Sequence, residues 1–175
     1  MNPRLVPLII LAIVCTGCPA TLTPTTMTAQ SPALDRRGTT DVLVTVFGAT
    51  DISKTKPIHL TDDGYGQALR DSLEQSRLFR RALSDSVGQY QLQATVIHLD
   101  EDIFGINMTA SIAVTYVLAR TAPKELIWEK TVTTSHTSGM SDSVIQITRL
   151  QRATEGAVRK NIEQAIQGIA QFKLE

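Results

Sequence analysis

The sequence predicts an α+β fold: a mostly antiparallel sheet, in the order strand, helix, strands, helix, with the two helices packed on one face. Three observations predict it. Apolar residues occupy every second position from Ile106 to Leu118, which defines a long strand with one covered face. Residues 147–172 carry apolar side chains at spacings of three and four, the stripe of a helix lying on a core. A shorter stripe, Tyr65, Leu69 and Leu73, marks an earlier helix, and two helices over one face of a sheet is an α+β sandwich.

Taken in order, the elements have local reasons. Val42-Leu43-Val44-Thr45-Val46-Phe47 is β-branched and aromatic and stops at Gly48, a buried strand. Residues 48–62 hold Gly48, Asp51, Lys54, Lys56 and Pro57 and read as a loop. Thr61-Asp62-Asp63 then supplies capping oxygens and negative charge for a helix over about 63–76. Leu78–Leu83 fits either the last helical turn or a short edge strand, and the strand is preferred. In Tyr90–Leu99, Tyr90, Leu92, Ala94 and Val96 alternate with polar residues. In 106–118, Asn107, Thr109, Ser111 and Thr115 form the polar face of a strand roughly 40 Å long. A third strand runs from Leu126 to about Thr137. Turns at Asp100–Gly105 and Thr121–Lys124 make the three strands an antiparallel meander with one face covered. Ser141-Asp142-Ser143 is expected to cap the final helix, whose polar face is expected to carry Arg149, Arg152, Glu155, Arg159, Lys160 and Glu163. Ala153, Gly156 and Ala157 are small and predict a close approach of that helix to the sheet.

The chain has 175 residues with 17 basic and 17 acidic side chains. That balance gives no basic excess for nucleic acid and no acidic block. One positive charge, Arg4, precedes an apolar run of about ten residues. The run is too short to span a membrane and has the layout of a secretory signal peptide over 1–17. Residues 18–40 are rich in Thr, Pro and Ser with no apolar period, which predicts a tether, flexible over about 19–38, and a single domain over 41–175. Both cysteines, Cys15 and Cys18, fall at or before the expected cleavage point, so the remainder has no thiol for a disulfide, a metal or catalysis.

The candidate chemistry is thin. His98 lies beside Asp100, Glu101 and Asp102, yet the acids belong to the turn and His98 shares a strand face with Val96, so no metal constellation is forced. Ser135 and His136 are neighbours on a strand and point to opposite faces, and no Gly-x-Ser-x-Gly elbow is present. Gly64-Tyr65-Gly66 lacks the spacing of a phosphate loop. No cofactor or metal is expected. Trp128 reads as core because Leu126 shares its face. Arg80 and Arg81 suit either anionic lipid heads or a solvated edge. Phe104, on a turn with Asp100, Glu101 and Asp102, is the candidate partner contact: one aromatic that anchors and charges that steer.

The ending Thr16-Gly17-Cys18 resembles the lipobox of bacterial lipoproteins, although Cys15 stands where that family usually has Leu. The resemblance implies a diacylglycerol on the Cys18 thiol, cleavage just before it, and attachment to a membrane. In enteric-type bacteria Asp after that cysteine retains the protein in the inner membrane. Here the residue is Pro19, which implies the outer membrane, facing the periplasm. The order of elements, with Ala68-Leu69-Arg70-Asp71-Ser72-Leu73 on the first helix and the long strand after Phe104-Gly105, resembles small envelope lipoproteins. These include the accessory lipoprotein of lipopolysaccharide assembly, uncharacterised lipoproteins and auxiliary lipoproteins of envelope transporters. That resemblance implies a non-enzymatic lipoprotein that binds an outer-membrane or periplasmic protein, or a lipid, in envelope assembly or transport. The alternatives are a lipid-tethered periplasmic hydrolase and a purely structural lipoprotein.

Overall fold

Five strands build the main sheet in the computed structural model, which describes residues 20–30 and 38–174. They are β2 (Asp41–Phe47), β4 (Arg81–Leu83), β5 (Tyr90–Asp102), β6 (Met108–Arg120) and β7 (Glu125–Ser138), in the spatial order β4-β2-β5-β6-β7. The predicted meander is present: β5, β6 and β7 are antiparallel neighbours. β2, in contrast, runs parallel to both β4 and β5. Two long helices, α3 (Asp62–Ser76) and α4 (Gln146–Ile169), cover one face, so the α+β prediction holds. The segment 77–80 after α3 is a turn and β4 is the edge strand, as preferred.

The covered face follows the alternation. Met108, Ala110, Ile112, Val114, Tyr116 and Leu118 of β6 are buried against Leu150, Ala157, Ile162 and Ile166 of α4 and Leu69 and Leu73 of α3 in one core. On the other face, cross-strand hydroxyls pair, Thr109 with Thr137 and Thr115 with Thr131, both at 2.9 Å. Ile112→Ala is therefore expected to destabilise by about 2–5 kcal/mol, while Thr115→Val stays within about 1 kcal/mol. Urea melts of the two variants check the register, and the reverse ranking would contradict it.

Bulges interrupt the alternation at two places. Ile97 is the extra residue between the Val96 and His98 pairings, which puts His98 on the open face and returns Leu99 to the core. This corrects the expectation that His98 shares the face of Val96. Ile127 is extra between the pairings of Leu118 with Trp128 and Ala119 with Leu126. Leu126 is exposed, so it does not share the face of Trp128, which packs on Tyr116 with ring centroids 6.3 Å apart. Ile106, expected on the covered face, lies in the β5–β6 turn and is exposed.

Helix α3 is capped as predicted: Gly64 N–H donates to Thr61 Oγ1 at 3.0 Å. The cap of α4 is not the predicted one. Asp142 instead closes the turn after β7, accepting from Gly139 N–H at 2.8 Å and Ser138 Oγ at 2.9 Å, and α4 begins four residues later without a side-chain cap. Arg149 and Glu155, expected on the polar face, are buried. Arg149 donates to Ser143 O at 2.9 Å, and Glu155 accepts from Gln151 at 3.1 Å.

The predicted loop 48–62 contains a short helix, α2 (Ala49–Ser53), and a two-residue strand, β3 (Ile58–His59). Residues 20–30, expected within a flexible tether, pack on the domain instead. They form β1 (Ala20–Thr21), paired parallel with β3, and α1 (Pro24–Met27), which lies against α3 and α4. Leu22, Met27 and Ala29 are buried, Ala29 N–H donates to Ser72 Oγ at 2.8 Å, and Arg159 donates to Thr26 O at 2.6 Å. Three apolar side chains are enough here, because the helices already present a surface on which they are covered.

Candidate functional site

One end of the sheet carries a set of exposed apolar side chains. Two connections meet there: the β5–β6 turn over 103–107 and the β7–α4 link over 139–145. Phe104 is 83 % exposed and Ile106 66 % on the first, Val144 78 % and Ile145 59 % on the second, with Met140 and Ile147 also exposed. Gln146 Nε2 donates to Ile103 O at 2.9 Å and ties the two together. A groove of about 200 Å³ runs between them, lined by Pro57, Ile103, Met108, Gln146, Ile147 and Leu150.

The turn itself is locally determined. Phe104 N–H donates to Asp102 Oδ1 at 3.1 Å, and Gly105 has φ 106°, a left-handed conformation that glycine adopts without a side-chain clash. Phe104 thus projects into solvent, as the sequence predicts. Asp100 and Asp102 are exposed beside it. Glu101 is not part of that surface. It turns toward α4, where Thr154 Oγ1 donates to its Oε1 at 3.2 Å and its Oε2 has no partner. Burial raises its pKa, with Lys56 opposing the shift. Of the four predicted contact residues, three share the tip and Glu101 does not.

Sequence reading missed Met140, Val144 and Ile145, and assigned Ile106 and Ile147 to the core. The signal was available: Gly139, Ser141, Asp142 and Ser143 mark a polar link, and three large apolar residues within or beside it have no core to serve.

The start of the described chain lies at this same end. Ala20 pairs with Ile58 in parallel register, so the chain enters β1 from the side of Pro57, which lines the apolar groove. Cys18 lies outside the described residues. It stands two positions before Ala20 with only Pro19 between them, so at most roughly 7 Å of chain separates the two.

One polar cleft brings a histidine, a serine and an aspartate together. His136, Ser138 and Asp142 line one cleft of about 300 Å³ with Arg152, Glu155 and Arg159. The order of contacts is wrong for nucleophilic catalysis: buried Ser138 donates directly to the Asp142 carboxylate, leaving the imidazole outside that bond. The His136 pKa is lowered, first by burial and then by Lys160 and Arg159. Gly139 N–H and Ser138 lower the Asp142 pKa. At the opposite end of the sheet, an open groove of about 690 Å³ is bordered by Asp41, Tyr90, Arg120 and Pro123. Arg80 and Arg81 both bind the Asp41 carboxylate there, at 2.7 and 2.6 Å, and hold its pKa far below the usual carboxylate range. Among the described residues no group of three or more His, Cys, Asp or Glu could hold a metal ion, and no helix is long and apolar enough to cross a membrane.

Comparison with known proteins finds no matching family model and no matching curated relative. Solved structures do share the fold. A Xanthomonas campestris protein of the family DUF330 is 14 % identical with a TM-score of 0.63, covering 87 % of this chain and 99 % of its own. PelC of Paraburkholderia phytofirmans, solved as a dodecamer, is 14 % identical with a TM-score of 0.51 over 82 % of this chain and 95 % of its own. A candidate lipoprotein from Caulobacter crescentus is 14 % identical with a TM-score of 0.50 over 74 % of this chain and 88 % of its own. At such identities the likeness establishes the fold alone.

Proposed function

We propose that this chain is a non-enzymatic lipoprotein of the bacterial envelope, held by a lipid on Cys18 and binding a protein or lipid partner in envelope assembly or transport. The observation that carries the reading is the coincidence of two features at one end of the molecule. The chain enters β1 beside Pro57, within two residues of the lipobox-like cysteine, and the exposed Phe104, Ile106, Val144 and Ile145 occupy the same end. An anchor and a binding surface sharing one end suit a protein that works against a membrane. The contact order in the His136 cleft supports the non-enzymatic part over a tethered hydrolase. The description of the Caulobacter crescentus structure as a candidate lipoprotein is in keeping with the reading. Pro19 favours the outer membrane, with the domain facing the periplasm.

The test is fractionation of the native envelope. Wild-type protein is expected in the outer-membrane fraction and processed. Cys18→Ala is expected to leave that fraction and to keep its leader. Recovery of the wild type with the inner membrane overturns the sorting, and normal processing of Cys18→Ala overturns the anchor.

A further inference from the structure

We infer that the apolar end formed by the 103–107 turn and the 139–145 link is seated in the lipid surface itself, with Phe104, Ile106, Val144 and Ile145 entering the headgroup region beside the anchor. The inference rests on the lipoprotein reading and names the partner of that site as lipid.

The shape of the end argues for a bilayer. Its large apolar side chains stand on two projecting connections that flank only a small groove. They are aliphatic apart from one phenylalanine and one methionine, and bring apolar area with few groups that need a matching donor or acceptor. A bilayer surface accepts such an end without shape complementarity, whereas a specific protein interface is built on packing.

The position of the end argues the same way. Ala20 pairs with Ile58, and Cys18 stands two positions earlier in the sequence, at most roughly 7 Å of extended chain away. An acyl chain in the membrane therefore holds the apolar end close to the lipid at high effective concentration.

The charge of the end argues for insertion rather than adsorption. Asp100 and Asp102 border the tip, Lys54 and Lys56 lie on the neighbouring turn, and Asp142 and Arg152 on the other side, where Arg152 donates to Asp142 O. With acids and bases both present, attraction to anionic headgroups does not dominate, and the seat should depend little on salt.

The test uses the full lipoprotein, extracted from its membrane and reconstituted in vesicles of phosphatidylethanolamine and phosphatidylglycerol. Phe104→Cys, Ile145→Cys and, at the far end of the sheet, Lys124→Cys each introduce the sole free thiol for an environment-sensitive fluorophore. Quenching by brominated acyl chains is expected to be several-fold stronger at 104 and 145 than at 124, at low and high salt alike. The intact mass of the same preparation reports acylation. An acylated protein whose labels at 104 and 145 are quenched no more than that at 124 overturns the lipid seat and leaves the anchor standing. So does a photocrosslinker placed at 104 that, in the native envelope, joins the acylated chain to a protein and not to lipid. A mass without acyl chains overturns the anchor, and with it the basis of the seat.

Discussion

Asn161→Ala is expected to lower stability by about 3–5 kcal/mol, although the side chain is polar and far from the apolar end. Asn161 is fully buried on α4 and joins three other elements. Its Nδ2 donates to Val132 O at 2.8 Å and Thr134 Oγ1 at 3.2 Å on β7. Its Oδ1 accepts from Tyr116 Oη of β6 at 2.8 Å, and Tyr65 Oη of α3, 3.4 Å from Oδ1, turns its proton to Tyr116 Oη instead. The two phenols share a further bond of 2.5 Å. Burial raises the pKa of both phenols, so both stay protonated at ordinary pH. Truncation to Ala strips Val132 O of this donor and Tyr116 of this acceptor in a place water does not reach. Each such loss costs about 1–3 kcal/mol, and a cavity adds to it. Tyr65→Phe, which removes the donor of the phenol pair and leaves Asn161 its bond from Tyr116, should cost only about 1–2 kcal/mol. Urea melts of the two variants check the ranking. A loss under about 1 kcal/mol for Asn161→Ala would mean that the network does not hold the helices to the sheet.

Gly156→Ala is the second large effect, and its sign is the informative part. In an exposed helix interior the change stabilises by about 1 kcal/mol. Here a Cβ at 156 would stand 2.0 Å from His136 Cδ2 and 2.5 Å from Cγ, so ring and helix cannot keep their places. The expected result is a net loss of about 2–3 kcal/mol as α4 is pushed from β7. Removing the ring should reverse the sign: in a His136→Ala background, Gly156→Ala is expected to stabilise by about 1 kcal/mol. A thermodynamic cycle over the four proteins measures the coupling. Stabilisation by Gly156→Ala alone would rule out the close approach. Gly168 stands in the same relation to Trp128, with a Cβ at 2.8 Å from Cζ2. The two helix glycines that cost propensity thus make room for two rings of one strand.

The sheet was legible because one face is covered and the other open, so period two is written into β5 and β6. The parallel pairing of β2 was not legible, since a short β-branched run reads alike in either direction. The bulges at Ile97 and Ile127 were hidden because one extra residue leaves composition unchanged while turning His98 and Leu126 to the other face. Residues 20–30 misled because composition measures what a segment can bury by itself, whereas Leu22, Met27 and Ala29 are covered by helices formed far along the chain. At the candidate site Phe104 was readable from Gly105 and the acids before it. Val144 and Ile145 are harder to read, because they directly precede a helical stripe and only the polar link before them marks them as outside the core. The cap expected at Ser141–Ser143 failed for a related reason: Asp142 is used to close the turn after β7.

The most direct test of an anchored envelope protein is the intact mass and N-terminal fragment spectrum of the mature chain purified from its own membrane. The expected spectrum begins at Cys18, carries acyl groups on that residue and contains nothing of 1–17. A mature chain that begins at any other residue, or at Cys18 with a bare thiol, would contradict the lipid anchor and remove the reason for an apolar end beside it.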